Sequence, residues 1–184
     1  VGDCGWIGGR AVNRIRALSV NMSTYRRETR IAAPLEKVWE FHSRPDGLEA
    51  LTPGWMGMQV ESVRGPDGER DPPILEQGSQ LRLSMRPFGV GPRRSFTARI
   101  VERCKEEGRA WFRDDMVGGP FRKWEHTHSF FGDGDETVMV DTVEYELPGG
   151  RLNVLSSPFA SLGFDGMFRR RHAKTRELLS GELS

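Results

Sequence analysis

The chain has 184 residues, 36% hydrophobic and 29% charged, the make-up of one ordinary globular domain with room for a core and a cavity. Its 27 Lys and Arg against 26 Asp and Glu leave a net charge of +1, without the basic surplus of a nucleic-acid binder. No apolar run approaches the ~18–20 residues that span a bilayer, which argues against stable membrane insertion. The only cysteines, Cys4 and Cys104, make neither a disulfide framework nor a zinc set, so a cytoplasmic location is the simplest expectation.

In chain order, residues 1–22 come first, with Arg10, Arg14 and Arg16 among glycines and no apolar signal core. They read as a disordered or non-native extension with Met22 as the biological start, or as a short helix over 11–18 on a loose lead. Residues 23–181 read as a single domain. Residues 24–31 predict a strand with Tyr25, Arg27, Thr29 and Ile31 on one face. Pro34 opens a helix in which Leu35, Val38, Trp39 and His42 fall near helical spacing. Pro45-Asp46-Gly47 reads as a turn before a short helical piece over 48–51.

A run of strands follows. Residues 58–63 form a short one, and a polar, proline-rich loop leads to Leu81, Leu83 and Met85 alternating with Arg82, Ser84 and Arg86. Over 94–106, Phe96, Ala98 and Ile100 oppose Thr97, Arg99 and Val101. Gly-rich turns then separate strands over 110–117, 121–131 and 136–147, the spacing of a meander. Pro148-Gly149-Gly150 closes it. A last helix runs from near Pro158 to Gly181, with Met167, Phe168, Arg171, Lys174, Thr175 and Leu178 close to one side. Gly163 and Gly166 either let it pass close to the sheet or a ligand, or mark a helix that begins later, near Asp165.

Chemistry concentrates on three strands. Period-2 alternation puts Trp124, His126, His128 and Phe130 on one face, and Glu125, Thr127 and Ser129 on the other. The neighbouring strands offer Phe112, Asp114 and Met116, and Met139, Asp141, Val143 and Tyr145. If all face inward, His126, His128, Asp114, Asp141 and Tyr145 form a polar cluster in an apolar interior. Three readings stand. The groups satisfy one another and pin the sheet register; or they orient the polar end of an apolar ligand, with acid/base catalysis by His126, His128 and Asp141 as a sub-case; or His126 and His128 hold a metal with Asp141 or Asp114. No serine-nucleophile elbow, P-loop or dinucleotide fingerprint is present, so no cofactor is expected. Cys104 reads as structural. The basic run Arg169-Arg170-Arg171-His172 with Lys174 and Arg176 reads as a solvated face, or as a contact for an anionic ligand or membrane surface. Trp55 and Phe88 either rim a cavity or cap the core.

The element order, together with Ile31-Ala32-Ala33-Pro34, Val38-Trp39, Gly118-Gly119-Pro120-Phe121, the Trp124–Phe130 stretch, Thr137-Val138-Met139-Val140-Asp141 and Met167-Phe168-Arg169-Arg170-Arg171, resembles the SRPBCC superfamily (START and birch-pollen-allergen-like), in its bacterial and archaeal polyketide cyclase/dehydrase-type subgroup. The resemblance implies an α+β helix-grip fold: a curved antiparallel sheet of about seven strands, in the order β-α-α-β6-α, wrapped around a long C-terminal helix with an internal cavity. It implies a hydrophobic or aromatic, lipid- or polyketide-like ligand. Trp39, Leu83, Met85, Phe96, Phe112, Asp114, Trp124, His126, His128, Asp141, Tyr145 and Met167 are expected around that ligand. A cyclase/dehydratase-type enzyme and a protein-interaction module with a vestigial cavity are the alternatives.

Overall fold

The computed structural model describes residues 22–147 and 157–180 and, in the second stretch, side chains from residue 163 onward. The alternating segments form seven strands: β1 (Ser23–Ile31), β2 (Gln59–Arg64), β3 (Gln80–Met85), β4 (Arg94–Glu106), β5 (Arg109–Val117), β6 (Lys123–Asp133) and β7 (Glu136–Glu146). They build one curved antiparallel sheet in the order β1-β7-β6-β5-β4-β3-β2. Two short helices, α1 (Leu35–His42) and α2 (Pro45–Leu51), carry the chain from one sheet edge to the other, and α3 (Ser157–Ser180) follows β7. This is the expected α+β helix-grip arrangement. Most of the proposed extension, the 148–150 turn and the Gly181 stop lie outside the described residues.

Two details differ from expectation. The Pro45-Asp46-Gly47 segment is the first turn of α2 itself, because proline at N1 suits a helix start. A Cβ on Gly47 would stand 2.3 Å from the Phe41 carbonyl oxygen, so glycine is what lets α2 fold back against α1. In β4 the register shifts between Ile100 and Glu102, and the alternation read across Val101 breaks there.

Alternation on β1 explains the grip. Its outer residues Thr24, Arg26, Glu28 and Arg30 are exposed, while Tyr25, Arg27 and Thr29 turn toward α3. The Arg27 guanidinium donates to Asp165 at 2.8 Å, the Tyr25 hydroxyl donates to the same carboxylate at 3.3 Å, and Arg176 donates to the Thr29 hydroxyl at 3.0 Å. The inward stripe of α3 is Phe164, Phe168, His172, Thr175 and Leu179, at helical spacing. Two apolar clusters form the core. Ile31, Val38, Trp39, Phe112, Phe130 and Met139 belong to the larger one, and Trp124, Val143 and Tyr145 pack with Phe164 and Phe168 of α3 in the smaller. Arg103 fastens the helical segment to β4: it donates to the Leu75 carbonyl and, at 3.1 Å, to the Ser43 hydroxyl, and lies over Trp39 with 4.6 Å to the ring centroid. Among the described residues no helix is long and apolar enough to cross a membrane.

Candidate functional site

One α-helix crossing a curved seven-stranded sheet cannot fill the concave face along its whole length, and the unfilled part is a cavity of about 670 Å³. Leu81 and Leu83 from β3, Phe96 and Ile100 from β4, and Phe112 and Met116 from β5 supply apolar wall. Leu48 and Leu51 of α2 and Phe164, Met167 and Phe168 of α3 close the other side. Trp55 lines the cavity while stacking at 5.0 Å on Phe88, which is 75% exposed. One wall is polar: His42, His126, His128, Asp114 and Arg171 all reach it.

The register of β5, β6 and β7 builds that wall. Asp114 stands opposite His126, and His128 stands opposite Asp141, in an unbroken β6–β7 ladder. Alternation therefore turns both β6 histidines inward. Behind them Asp141, 2% exposed, accepts a hydrogen bond from His126 Nε2 at 2.8 Å and one from His172 Nε2 at 2.5 Å. His128 Nδ1 is also 2.8 Å from Asp141 Oδ1, but off the line a hydrogen bond needs, so this is a charge contact. In front, Asp114 Oδ2 is 3.4 Å from His128 Nε2 and 3.7 Å from His126 Nδ1. All four histidines of the chain thus gather at this wall, with His42 and His128 ring centroids 6.4 Å apart.

Burial and charge divide their protonation. Burial opposes a charge on His128, yet the Asp141 and Asp114 carboxylates outweigh it and raise its pKa. Burial and the neighbouring His128 push His126 down. Burial, reinforced by His128, pushes His42 down to about 3, and its Nε2 has no hydrogen-bond partner. Burial would raise the Asp141 carboxyl, but the histidines around it hold it well below the usual carboxylate range. The cluster therefore pairs a buried anion with imidazoles of unequal basicity. It can orient a polar group, exchange a proton, or hold a cation: the ligand atoms of Asp114, His126 and His128 all lie within 4.8 Å of one another.

Of the residues singled out from sequence, Leu83, Met85, Phe96, Phe112, Asp114, Trp124, His126, His128 and Met167 line the cavity. Trp39, Asp141 and Tyr145 do not. Trp39 packs on Phe112 and Phe130 in the core, Tyr145 packs on Phe164, and Asp141 stands one layer behind the histidines. The basic run on α3 divides by helical phase. Arg169, Arg170 and Arg176 are exposed, Arg171 lines the cavity, and His172 is buried on Asp141. Two members of the histidine cluster are not expected there from sequence: the cavity-lining His42, read only as part of a helix face, and His172, read only as part of the basic run. For His172 a signal existed, since it continues the stripe of Phe164, Phe168, Thr175 and Leu179. Among the described residues no atom lies within 4 Å of a Cβ added to Gly163 or Gly166, so close approach to the sheet is not what places glycine there, while Gly163 lines the cavity.

A family model described as polyketide cyclase / dehydrase and lipid transport matches residues 31–167. Among solved structures, a Thalictrum flavum norcoclaurine synthase point mutant in complex with a transition-state analogue is similar at TM-score 0.64 and 18% identity, covering 89% of this chain and 97% of that one. A Thermus thermophilus protein is similar at TM-score 0.57 and 21% identity, over 88% of this chain and 100% of that one. A START superfamily protein from Mycobacterium smegmatis is similar at TM-score 0.57 and 17% identity, over 84% and 98%. At these identities the likeness is one of fold. No curated protein matches the chain.

Proposed function

The chain belongs to the polyketide cyclase / dehydrase and lipid transport family, and from that premise we propose that it binds a small hydrophobic or aromatic, lipid- or polyketide-like molecule between the sheet and α3. The observation that carries this reading is the cavity of about 670 Å³, apolar on most sides and polar on one. Pockets of roughly 300–1,000 Å³ with a few convergent polar groups are the usual form of a small-molecule site. Leu83, Phe96 and Phe112 would hold the apolar body, and His126, His128 and Asp114 its polar end. Arg171 adds a preference. It lines the cavity, and its guanidinium, which feels the Asp141 and Asp114 carboxylates without pairing directly with either, favours a ligand with an acidic or carbonyl oxygen.

The test uses anilinonaphthalene sulfonate, an apolar fluorophore with one anionic group. Saturable binding at one site is expected, with Ala98→Trp, which puts an indole into the cavity, weakening it at least ~10-fold, about 1.4 kcal/mol. Arg171→Gln is expected to weaken it by a similar factor. Wild-type-like binding in an Ala98→Trp protein that still unfolds cooperatively would remove the proposal.

A further inference from the structure

The polar wall holds two imidazoles in an arrangement that a self-contained hydrogen-bond network does not explain. His126 gives its Nε2–H to Asp141, so in the neutral ring the lone pair lies on Nδ1. That nitrogen looks across 3.7 Å at Asp114 Oδ2, an acceptor facing an acceptor. His128 differs at the rear, where Nδ1 lies 2.8 Å from Asp141 without the alignment of a hydrogen bond, while its Nε2 is 3.4 Å from the same Asp114 oxygen. Both front distances exceed the 2.7–3.2 Å of a good hydrogen bond. They are close to the edge of a metal coordination polyhedron, since bond lengths of about 2.0–2.2 Å place adjacent ligand atoms roughly 3.0–3.4 Å apart.

We propose that Asp114, His126 and His128 form a two-histidine, one-carboxylate site for a divalent first-row transition-metal ion, with its remaining coordination positions open to the cavity.

The back layer has the form such a site needs. Metal-bound histidines commonly give their other ring N–H to a carboxylate, which fixes tautomer and orientation. Here a single carboxylate, Asp141, contacts the rear nitrogen of both rings and is itself held by His172. The structure thus separates the two aspartates that sequence left interchangeable: Asp114 ligates and Asp141 positions. Two carboxylates supply the negative charge that a divalent ion needs, with the Arg171 guanidinium also within their field. Mixed nitrogen and oxygen donors favour ions such as Zn²⁺, Co²⁺ or Fe²⁺ over Ca²⁺ or Mg²⁺. Because the open positions face the apolar chamber, a bound ion would meet the oxygen-bearing end of a cavity ligand.

The test is titration of chelator-treated full-length protein with Co²⁺, followed by calorimetry and by the visible d–d absorption of the bound ion, with Zn²⁺ competition. One equivalent is expected to bind, with bands of a low-coordinate nitrogen and oxygen site, displaced by Zn²⁺. Asp114→Asn should reduce affinity at least 100-fold. His172→Gln, which touches no metal, should weaken it by roughly 10–100-fold through Asp141. Circular dichroism of each variant establishes that it is folded. Absence of saturable Co²⁺ binding to the wild type, or wild-type affinity in folded Asp114→Asn, overturns the site. Anilinonaphthalene sulfonate binding to the metal-free protein is scored separately, so loss of the metal site and loss of the ligand-binding reading give different results.

Discussion

Asp141→Asn is the most informative single substitution. The side chain keeps its size, so the strand pairing of β7 is undisturbed, and only the carboxylate is lost. In the wild type its two oxygens each accept a hydrogen bond from a buried imidazole, His126 at 2.8 Å and His172 at 2.5 Å. An amide can accept only one of these; its NH₂ then faces the other imidazole N–H. A hydrogen bond to a charged group contributes about 1.5–3 kcal/mol, and breaking a buried charged network costs about 3–5 kcal/mol. Relief from burying the anion offsets part of this, so a loss of about 3 kcal/mol at pH 7 is expected. For a domain of this size that lowers the melting temperature by roughly 6–12 °C. Urea unfolding with an unchanged m-value is the assay. A cycle with His172→Leu should give a coupling energy of roughly 1.5–3 kcal/mol, because the two changes break the same bond. Stability within about 1 kcal/mol of wild type, or a coupling near zero, would refute the view of Asp141 as the link between helix and sheet.

Three further outcomes follow from the geometry. His42 is neutral in both states above its ordinary pKa of about 6.5, but below it the unfolded chain takes up a proton that the folded form refuses down to about 3, so stability falls with falling pH. That amounts to about 2 kcal/mol between pH 7 and pH 5, and denaturant titrations of His42→Phe should show a slope smaller by that amount. Gly47→Ala should cost about 1–3 kcal/mol in thermal unfolding, because the added methyl collides with the Phe41 carbonyl and the backbone must move. Arg103→Lys keeps the charge but cannot reach the Leu75 carbonyl, the Ser43 hydroxyl and the Trp39 face together; a loss of about 1–2 kcal/mol in urea unfolding is expected.

The strands and the inward histidines are legible in the sequence because side-chain direction in a strand follows parity. Once Trp124 and Phe130 are read as core, His126 and His128 must share their face. Parity says nothing about depth, which is why Asp141 and Tyr145 are expected at the ligand and stand behind it; on α1 the helical spacing that turns Trp39 inward is equally silent about what it meets there. His172 is hidden by composition. In a run of arginines its charge class draws attention away from its helical phase. The start of α2 is ambiguous because Pro-Asp-Gly serves equally as a turn and as a first helical turn, and only the packing of Gly47 on Phe41 decides between them.

The bond from His172 to Asp141 also indexes α3. A helix turns by about 100° and advances by about 1.5 Å per residue, so a slip of one position would swing the imidazole off the carboxylate and bring a neighbour, Arg171 or Ala173, into its place. The helix can therefore not creep along the sheet to suit a larger guest. Nearer its start the same helix is fastened a second time, by Asp165 to Arg27 and Tyr25 of β1 and by Phe164 against Trp124 and Tyr145. A helix indexed at one point and clamped at another is a fixed roof, so molecules offered to the chamber should be discriminated by size as sharply at the Phe164 side as at the histidine wall.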